Sequence, residues 1–254
     1  MQRIFMLEIV ETIKARSGIE GFDEILLGGL PKGRSIILSG PPGSGKSTFA
    51  MQFLYKGVKD YSEPGVYVTL SESPTDIRNN MKSYGWDILK LERDGKLLLV
   101  DARPFSISEE GFVTPNESLY RGEAMPFSHL TDMVLAAIRR VDAKRLAIDS
   151  VTILAMQYVN RFYIRQGLMG LVQALSNQEC TSLLISESTQ EEGKAPVEWY
   201  IAPGVILLHY TRRGDTMERA VQVVKMRGTR HGEQIYPVKL AETGFTVLQP
   251  RVIP

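Results

Sequence analysis

Cysteine is almost absent: Cys180 stands alone among 254 residues. One thiol closes no disulfide within the chain and builds no thiolate metal site, and it fits a reducing, cytoplasmic setting. Histidine is nearly as scarce. His129, His209 and His231 are scattered without ligand spacing, so they are not expected to build a structural or catalytic metal site. No G-x-S-x-G elbow frames a serine nucleophile. An excess of one charge is missing too: 30 Lys and Arg against 29 Asp and Glu leave a net of +1. That balance provides no global field for DNA or an anionic membrane, so nucleic acid is not favoured as a partner and no membrane association is expected. The opening MQRIFMLEIVETIKARSG interleaves acids and bases with apolar residues, unlike a secretory leader or a membrane span. What is present suits one large folded domain, 1–254, with 1–16 as an N-terminal segment: 43% hydrophobic and 23% charged residues.

The periodicities alternate. SIILSG (35–40), VYVTL (66–70), KLLLVDA (96–102), RLAID (145–149) and TSLLISE (181–187) are short apolar runs expected as buried strands. Between them lie helical patterns at 46–59, from Ser73-Pro74 toward Tyr84, at 129–141 and at 162–179. Residues 103–127, rich in proline, glycine and acids, are expected as a long surface loop. After residue 204 the pattern changes to two strand pairs, 205–226 around Gly214-Asp215 and 235–249 around Thr243-Gly244. The expected fold is α/β: a mainly parallel sheet with helices on both faces and antiparallel hairpins at the carboxyl end.

GPPGSGKS (40–47) matches G-x-x-x-x-G-K-[ST] between a strand and a helix. Gly43 and Gly45 let successive N–H groups, with that of Ser44, turn toward phosphate oxygens at a helix N-terminus. Lys46 then reaches the β- and γ-phosphates, and the Ser47 hydroxyl ligates Mg²⁺. Asp149, ending RLAID, is the candidate acid for the metal, the other reading being a helix cap at Asp149-Ser150. Glu72 is either the base that orients water or a first-turn glutamate favoured by the helix dipole. KMRGTRH (225–231) packs four cationic or potentially cationic side chains into seven residues. Alone, it reads as a solvated strand end.

Taken together, SGIEGFDEILLGGLPKGRSIILSGPPGSGKST (17–48), VYVTLSESP (66–74), SYGWDI (83–88), RLAIDSVT (145–152) and KMRGTRH resemble the KaiC-like branch of the RecA-type ATPases. The resemblance implies a RecA-like P-loop fold binding ATP and Mg²⁺, slow hydrolysis, and a regulatory or signalling role. It also implies a homo-oligomeric ring, hexameric by preference, with ATP held between neighbours. Gly43 through Thr48 would serve the nucleotide in cis. Lys225, Met226, Arg227, Thr229 and His231 would reach the adjacent subunit's nucleotide, with Ser83 also expected across that boundary. The family commonly has two adjacent glutamates where this chain has Ser71 and Glu72, which points to slow hydrolysis or none. Pro203-Gly204 stands where aspartate is frequent. Trp199 and Tyr200 occupy the region of the clock protein's phosphorylated Ser and Thr, so autophosphorylation of that kind is not expected. Glu242 matches only loosely near the shared site.

Two other readings follow from the residues. One is a nucleotide-dependent assembly module that does not hydrolyse. The other is a recombinase-like ATPase in which Tyr158, Phe162 and Tyr163, near Arg161 and Arg165, stack on DNA bases; Arg212-Arg213 carries similarly little weight for DNA.

Overall fold

A strand covered on both faces reads as a mostly apolar run rather than an alternating one, and SIILS, GVYVT, RLAID and TSLLIS are buried at every position. The computed structural model describes residues 12–103, 105–107, 113–115, 125–187 and 195–248. From the amino end, β1 (Lys14–Ala15), α1 (Phe22–Ile25) and β2 (Leu30–Pro31) form a small flap, with Lys14 paired to Pro31. Strands and helices then alternate through β3 (Ser35–Ser39), α2 (Lys46–Tyr61), β4 (Gly65–Thr69), α3 (Pro74–Lys82), α4 (Ile88–Arg93) and β5 (Leu97–Asp101). Next come β6 (Phe105–Ile107), β7 (Val113–Pro115), α5 (Phe127–Val141), β8 (Arg145–Asp149), α6 (Val151–Ala155), α7 (Arg161–Ser176), β9 (Thr181–Ser186) and α8 (Val197–Ile201). The chain closes with β10 (Gly204–Arg213), β11 (Thr216–Met226), β12 (Ile235–Ala241) and β13 (Gly244–Val247).

The strand order is β13-β12-β11-β10-β3-β9-β8-β4-β5. Pairing is parallel from β10 through β5 and antiparallel from β10 outward to β13, the mixed sheet expected. Strand alternation separates two cores. Ile36 and Leu38 pack with Phe49 and Phe53 on the α2 face, while Ile37 packs with Val134 and Leu171 on the α5–α7 face. The stretch expected as a loop over 103–127 differs in two places. Residues 105–107 and 113–115 pair as antiparallel strands, and Phe127 already begins α5. Most of the rest of that stretch, like most of the 1–16 segment, lies outside the described residues. Among the described residues no helix is long and apolar enough to cross a membrane.

Local signals start the helices where they should. Ser73 caps α3 by accepting from Asp76 N, with Pro74 in the first turn, and Asp87 caps α4 by accepting from Lys90 N. The SYGWDI stretch is a packing clasp, its Trp86 stacked on Tyr84 at 4.9 Å and on Tyr55 at 5.5 Å between ring centroids. In the N-terminal signature, Asp23 Oδ1 accepts from Ser17 N at 2.7 Å, and Phe22 meets Phe49 edge-on at 5.1 Å. That motif therefore anchors the flap to the helix leaving the phosphate loop.

Arg145 opens the strand that ends in Asp149, and it is wholly buried. Its guanidinium donates to Glu63 Oε2, Phe53 O and Arg16 O, each at 2.7 Å, and lies 4.5 Å from the Phe53 ring centroid. One side chain thus ties the flap, α2 and β8 together. Replacing it orphans two carbonyls and a carboxylate. Arg145→Met is expected to lower unfolding free energy by about 3 kcal/mol in urea titration with an unchanged slope; a change below about 1 kcal/mol would remove it as a tie.

Candidate functional site

The segment between β3 and α2 wraps tightly. Gly43 and Gly45 adopt φ of +79° and +97°, in the left-handed region that a side chain resists. A Cβ at Gly43 would lie 2.9 Å from Tyr210 Cε1, and one at Gly45 would lie 3.0 Å from Phe245 Cε2. Ser44, buried, donates its hydroxyl to Pro41 O at 2.8 Å and tightens the turn from inside. The N-cap position of α2 is Gly45, without a side-chain cap, so the first N–H groups of a 16-residue helix remain for an anion. Lys46 folds over the loop and donates to Gly40 O at 2.9 Å and Pro41 O at 3.0 Å. Burial pulls its ammonium below the ordinary value, and the charges of Glu187 and Asp149 oppose that pull.

Beside the loop, Asp149 is the hub. Its Oδ2 accepts from Ser47 Oγ at 2.6 Å and from the Tyr67 hydroxyl at 2.6 Å. Its carbonyl accepts from Leu70 N at 2.6 Å, which ties the ends of β8 and β4. A hydroxyl and a carboxylate in contact form an all-oxygen donor set of the kind Mg²⁺ takes. The loop glycines, the uncapped helix start and this pair therefore fit a nucleotide phosphate with its Mg²⁺.

A cavity of about 400 Å³ opens next to Ser47 and Thr48, with Tyr67, Glu72, Ser83 and Tyr84 in its wall. The Thr69 hydroxyl donates to Glu72 O at 2.7 Å and accepts from Glu72 N at 3.1 Å, which fixes the turn after β4. Glu72 is exposed as a residue, but its carboxylate turns toward this cavity and accepts from Asn80 Nδ2 at 3.1 Å. Burial raises its pKa and the nearby Asp149 charge adds to the rise; the Asn80 bond opposes it, and Asp76 adds a little more. Ser71 is exposed and supplies no second carboxylate.

Ser83 lines the same cavity as Ser47 and Thr48 of its own chain, its hydroxyl donating to Asn80 O at 2.7 Å. KMRGTRH is elsewhere. Gly204 pairs with both Ile36 and Met226, whereas Leu207 pairs with both Ser39 and Gln222. Met226 is therefore level with the start of β3, and the phosphate loop follows the end of β3. The Ile36–Ser39 rise alone is about 10 Å, and Arg227 N donates to Pro203 O at 2.9 Å, below the start of β10. The basic turn and the chain's own phosphate loop occupy opposite ends of the sheet. Met226 points into the core, 5% exposed, which leaves only its backbone for a ligand. Arg227 is exposed, Lys225 and His231 are half-buried, and Thr229 joins the turn's internal bonding. Burial lowers the Lys225 pKa, with Arg227 adding to the fall. Of the residues considered for stacking on DNA, Tyr158 is engaged: its hydroxyl donates to Met125 O at 2.6 Å and its ring stacks on Phe127. Phe162 and Tyr163 are exposed. Arg213 pairs with Glu218 at 3.6 Å and Arg212 lies 3.9 Å from Asp215, so that hairpin tip is charge-balanced.

The family model described as ATPase: KaiC matches residues 15–252. The circadian clock oscillator protein KaiC of Parathermosynechococcus lividus is 38% identical over 238 residues, covering 92% of this chain and 42% of that protein. The chain thus spans less than half the length of the clock proteins it matches. The UPF0273 protein MJ1359 of Methanocaldococcus jannaschii is 38% identical over 243 residues, 94% of this chain and 98% of that protein. The crystal structure of the KaiC-like protein PH0186 from Pyrococcus horikoshii superposes with a TM-score of 0.79 at 34% identity, covering 94% of this chain and all of that one.

Two neighbours of the site escaped the sequence reading. Arg219 donates to Gly43 O from Nε at 3.1 Å and Nη2 at 2.9 Å while lying 4.4 Å from the Tyr210 ring centroid, so the long hairpin braces the phosphate loop. The two residues are 176 positions apart, and no local pattern marks the pair. Tyr67 was passed over as an apolar strand residue. In β4 it faces Ala147 across the ladder, and that small partner leaves room for the phenol to reach Asp149. Burial and the neighbouring carboxylate push its pKa well above the ordinary tyrosine value, so it stays a donor. Tyr67→Phe is expected to cost about 2 kcal/mol, the range for a buried bond to a charged group, read as a lower urea midpoint. An unchanged midpoint would mean that the phenol does not hold Asp149.

Proposed function

The chain belongs to the KaiC family of ATPases, and from that premise we propose that it is a single-domain, Mg-ATP-dependent homo-oligomer whose active sites are each built by two subunits. The observation that carries this is the position of KMRGTRH at the opposite end of the sheet from GPPGSGKS. A cationic turn that cannot serve its own phosphates can serve those of another copy. Because the two surfaces lie at opposite ends, they do not form one self-complementary patch. The contact is head-to-tail, which builds a ring when the rotation between copies closes and a filament when it does not, and we take the ring. Exposed Ile13 and Leu27, at 72% and 64%, belong to the flap that flanks the turn, the sort of apolar display a subunit boundary covers. Hexameric closure and a regulatory output in a cytoplasmic setting are parts of the same proposal.

Within one site, the N–H groups of Gly43 through Thr48 bind phosphate oxygens, and Lys46 leaves the loop carbonyls for the β- and γ-phosphates. Ser47 and Asp149 would hold Mg²⁺, which when bound would supply positive charge against the phosphate oxygens. Glu72 accepts the proton of the attacking water. Ser83 lines the same cavity. Lys225 and Arg227 of the neighbouring subunit meet the γ-phosphate, where charge develops as the bond breaks. With Ser71 in place of a second carboxylate, turnover is slow.

Arg227→Ala is expected to leave ATP affinity within about threefold while lowering kcat on the order of 10³-fold. Equilibrium binding of labelled ATP beside a phosphate-release assay separates the two effects. Equal losses in binding and turnover, or no loss, would count against action across the boundary. The raised Glu72 pKa sets a pH limb. As pH falls, this carboxylate takes up its proton sooner than an ordinary glutamate near about 4.3, and the base is lost. The acid limb of kcat/KM is therefore expected above that value, and Glu72→Gln is expected to abolish turnover. A limb at the ordinary glutamate position, or an active Glu72→Gln, would remove Glu72 as base.

A further inference from the structure

The basic turn is not held by its own strands alone. Gly228 adopts a φ of +80°, and its carbonyl accepts from Thr12 Oγ1 at 2.7 Å. Lys14 Nζ donates to Thr229 Oγ1 and, at 3.1 Å, to Leu26 O. The Thr229 hydroxyl in turn donates to Arg230 O at 3.2 Å. An ammonium has donors and no acceptor, so with Lys14 in place the Thr229 hydroxyl must accept from it and turn its own proton to the next carbonyl. The result is a directed chain, Lys14 to Thr229 to Arg230, running through the turn that follows Arg227. Strand alternation explains the residues: Thr12 and Lys14 reach the turn, and Ile13 between them is exposed. Burial lowers the Lys14 pKa, in keeping with an ammonium enclosed by this contact. Leu27, next to the carbonyl that Lys14 holds, is an exposed leucine in the left-handed region at φ +52°. That geometry is strained for a residue with a side chain and persists only where surroundings enforce it.

We propose that Lys14, assisted by Thr12, is a positioning residue for catalysis in the neighbouring subunit. It fixes the backbone of the KMRGTRH turn so that Arg227 meets the adjacent nucleotide at the right height. The residue belongs to the N-terminal flap and lies 215 positions in sequence from the Thr229 it holds. The proposal rests on the reading that Lys225 and Arg227 act across a subunit boundary. It adds a consequence: the N-terminal flap of one subunit sets the turnover of the next.

Lys14→Met keeps the length of the side chain and removes its donors, and Lys14→Arg keeps donors. The first is expected to lower kcat about tenfold with the KM for ATP unchanged, and the second to restore most of the loss. The decisive readout is complementation. Lys14→Met subunits have an intact phosphate loop, and Lys46→Ala subunits have an intact turn. Co-expressed in equal amounts and purified through a tag on one of them, they are expected to recover about a quarter of wild-type turnover per subunit, since each subunit in a ring has one donor neighbour. Thr12→Val is tested the same way, so that a folding defect at position 14 does not decide the matter. Co-expressed Arg227→Ala and Lys46→Ala subunits test the underlying reading. If that pair recovers turnover and the Lys14→Met and Thr12→Val pairs do not, the proposal is overturned and the shared site stands. If the Arg227→Ala pair also recovers nothing, the shared-site reading falls and takes the proposal with it.

Discussion

Strand direction is the constraint on which everything else depends. Six parallel strands, β10 through β5, bring their carboxyl ends to one edge, and ligand-binding groups in such sheets collect there. The phosphate loop leaves β3 at that edge, Asp149 ends β8 there, and Glu72 follows β4 there. β11 runs the other way. Its last residues, and the basic turn after them, are delivered to the opposite edge by hydrogen-bond register rather than by any property of their own side chains. A chain built this way displays a phosphate cradle at one end and a cationic turn at the other.

Each end is electrically incomplete in a complementary way. At the cradle, Lys46 is held by carbonyls and by the nearby charges of Asp149 and Glu187, while Glu72 is pushed toward its protonated form by burial beside Asp149. At the turn, Lys14 and Lys225 are held below their ordinary values by burial, and Arg227 is exposed. An anion shared between two copies would satisfy both ends, since phosphate charge favours the protonated lysines at one end and the cradle N–H groups at the other.

Much of this was legible in the sequence because it is local. GPPGSGKS spells its own loop conformation, RLAID gave both strand boundaries to the residue, and the Ser73-Pro74 cap placed α3. What failed was long-range. Nothing in SYGWDI says that its serine lines the same cavity as Ser47 and Thr48 of its own chain. Met226 looked like part of a binding signature, yet strand alternation carries it into the core. The Arg219 bond to Gly43 and the Lys14 bond to Thr229 join residues 176 and 215 positions apart, and only the assembled fold brings them together. Tyr67 was hidden by its setting, because a phenol in an apolar strand looks like core until the small Ala147 opposite it is seen.

The claim at the centre is that no single copy holds a complete active site. Turnover per subunit, measured over a dilution series with the assembly state followed by light scattering in the same samples, tests it most directly. The account predicts that turnover falls in step with the assembled fraction and that the monomer has none. A monomer that hydrolyses ATP at the rate of the assembled protein would contradict it.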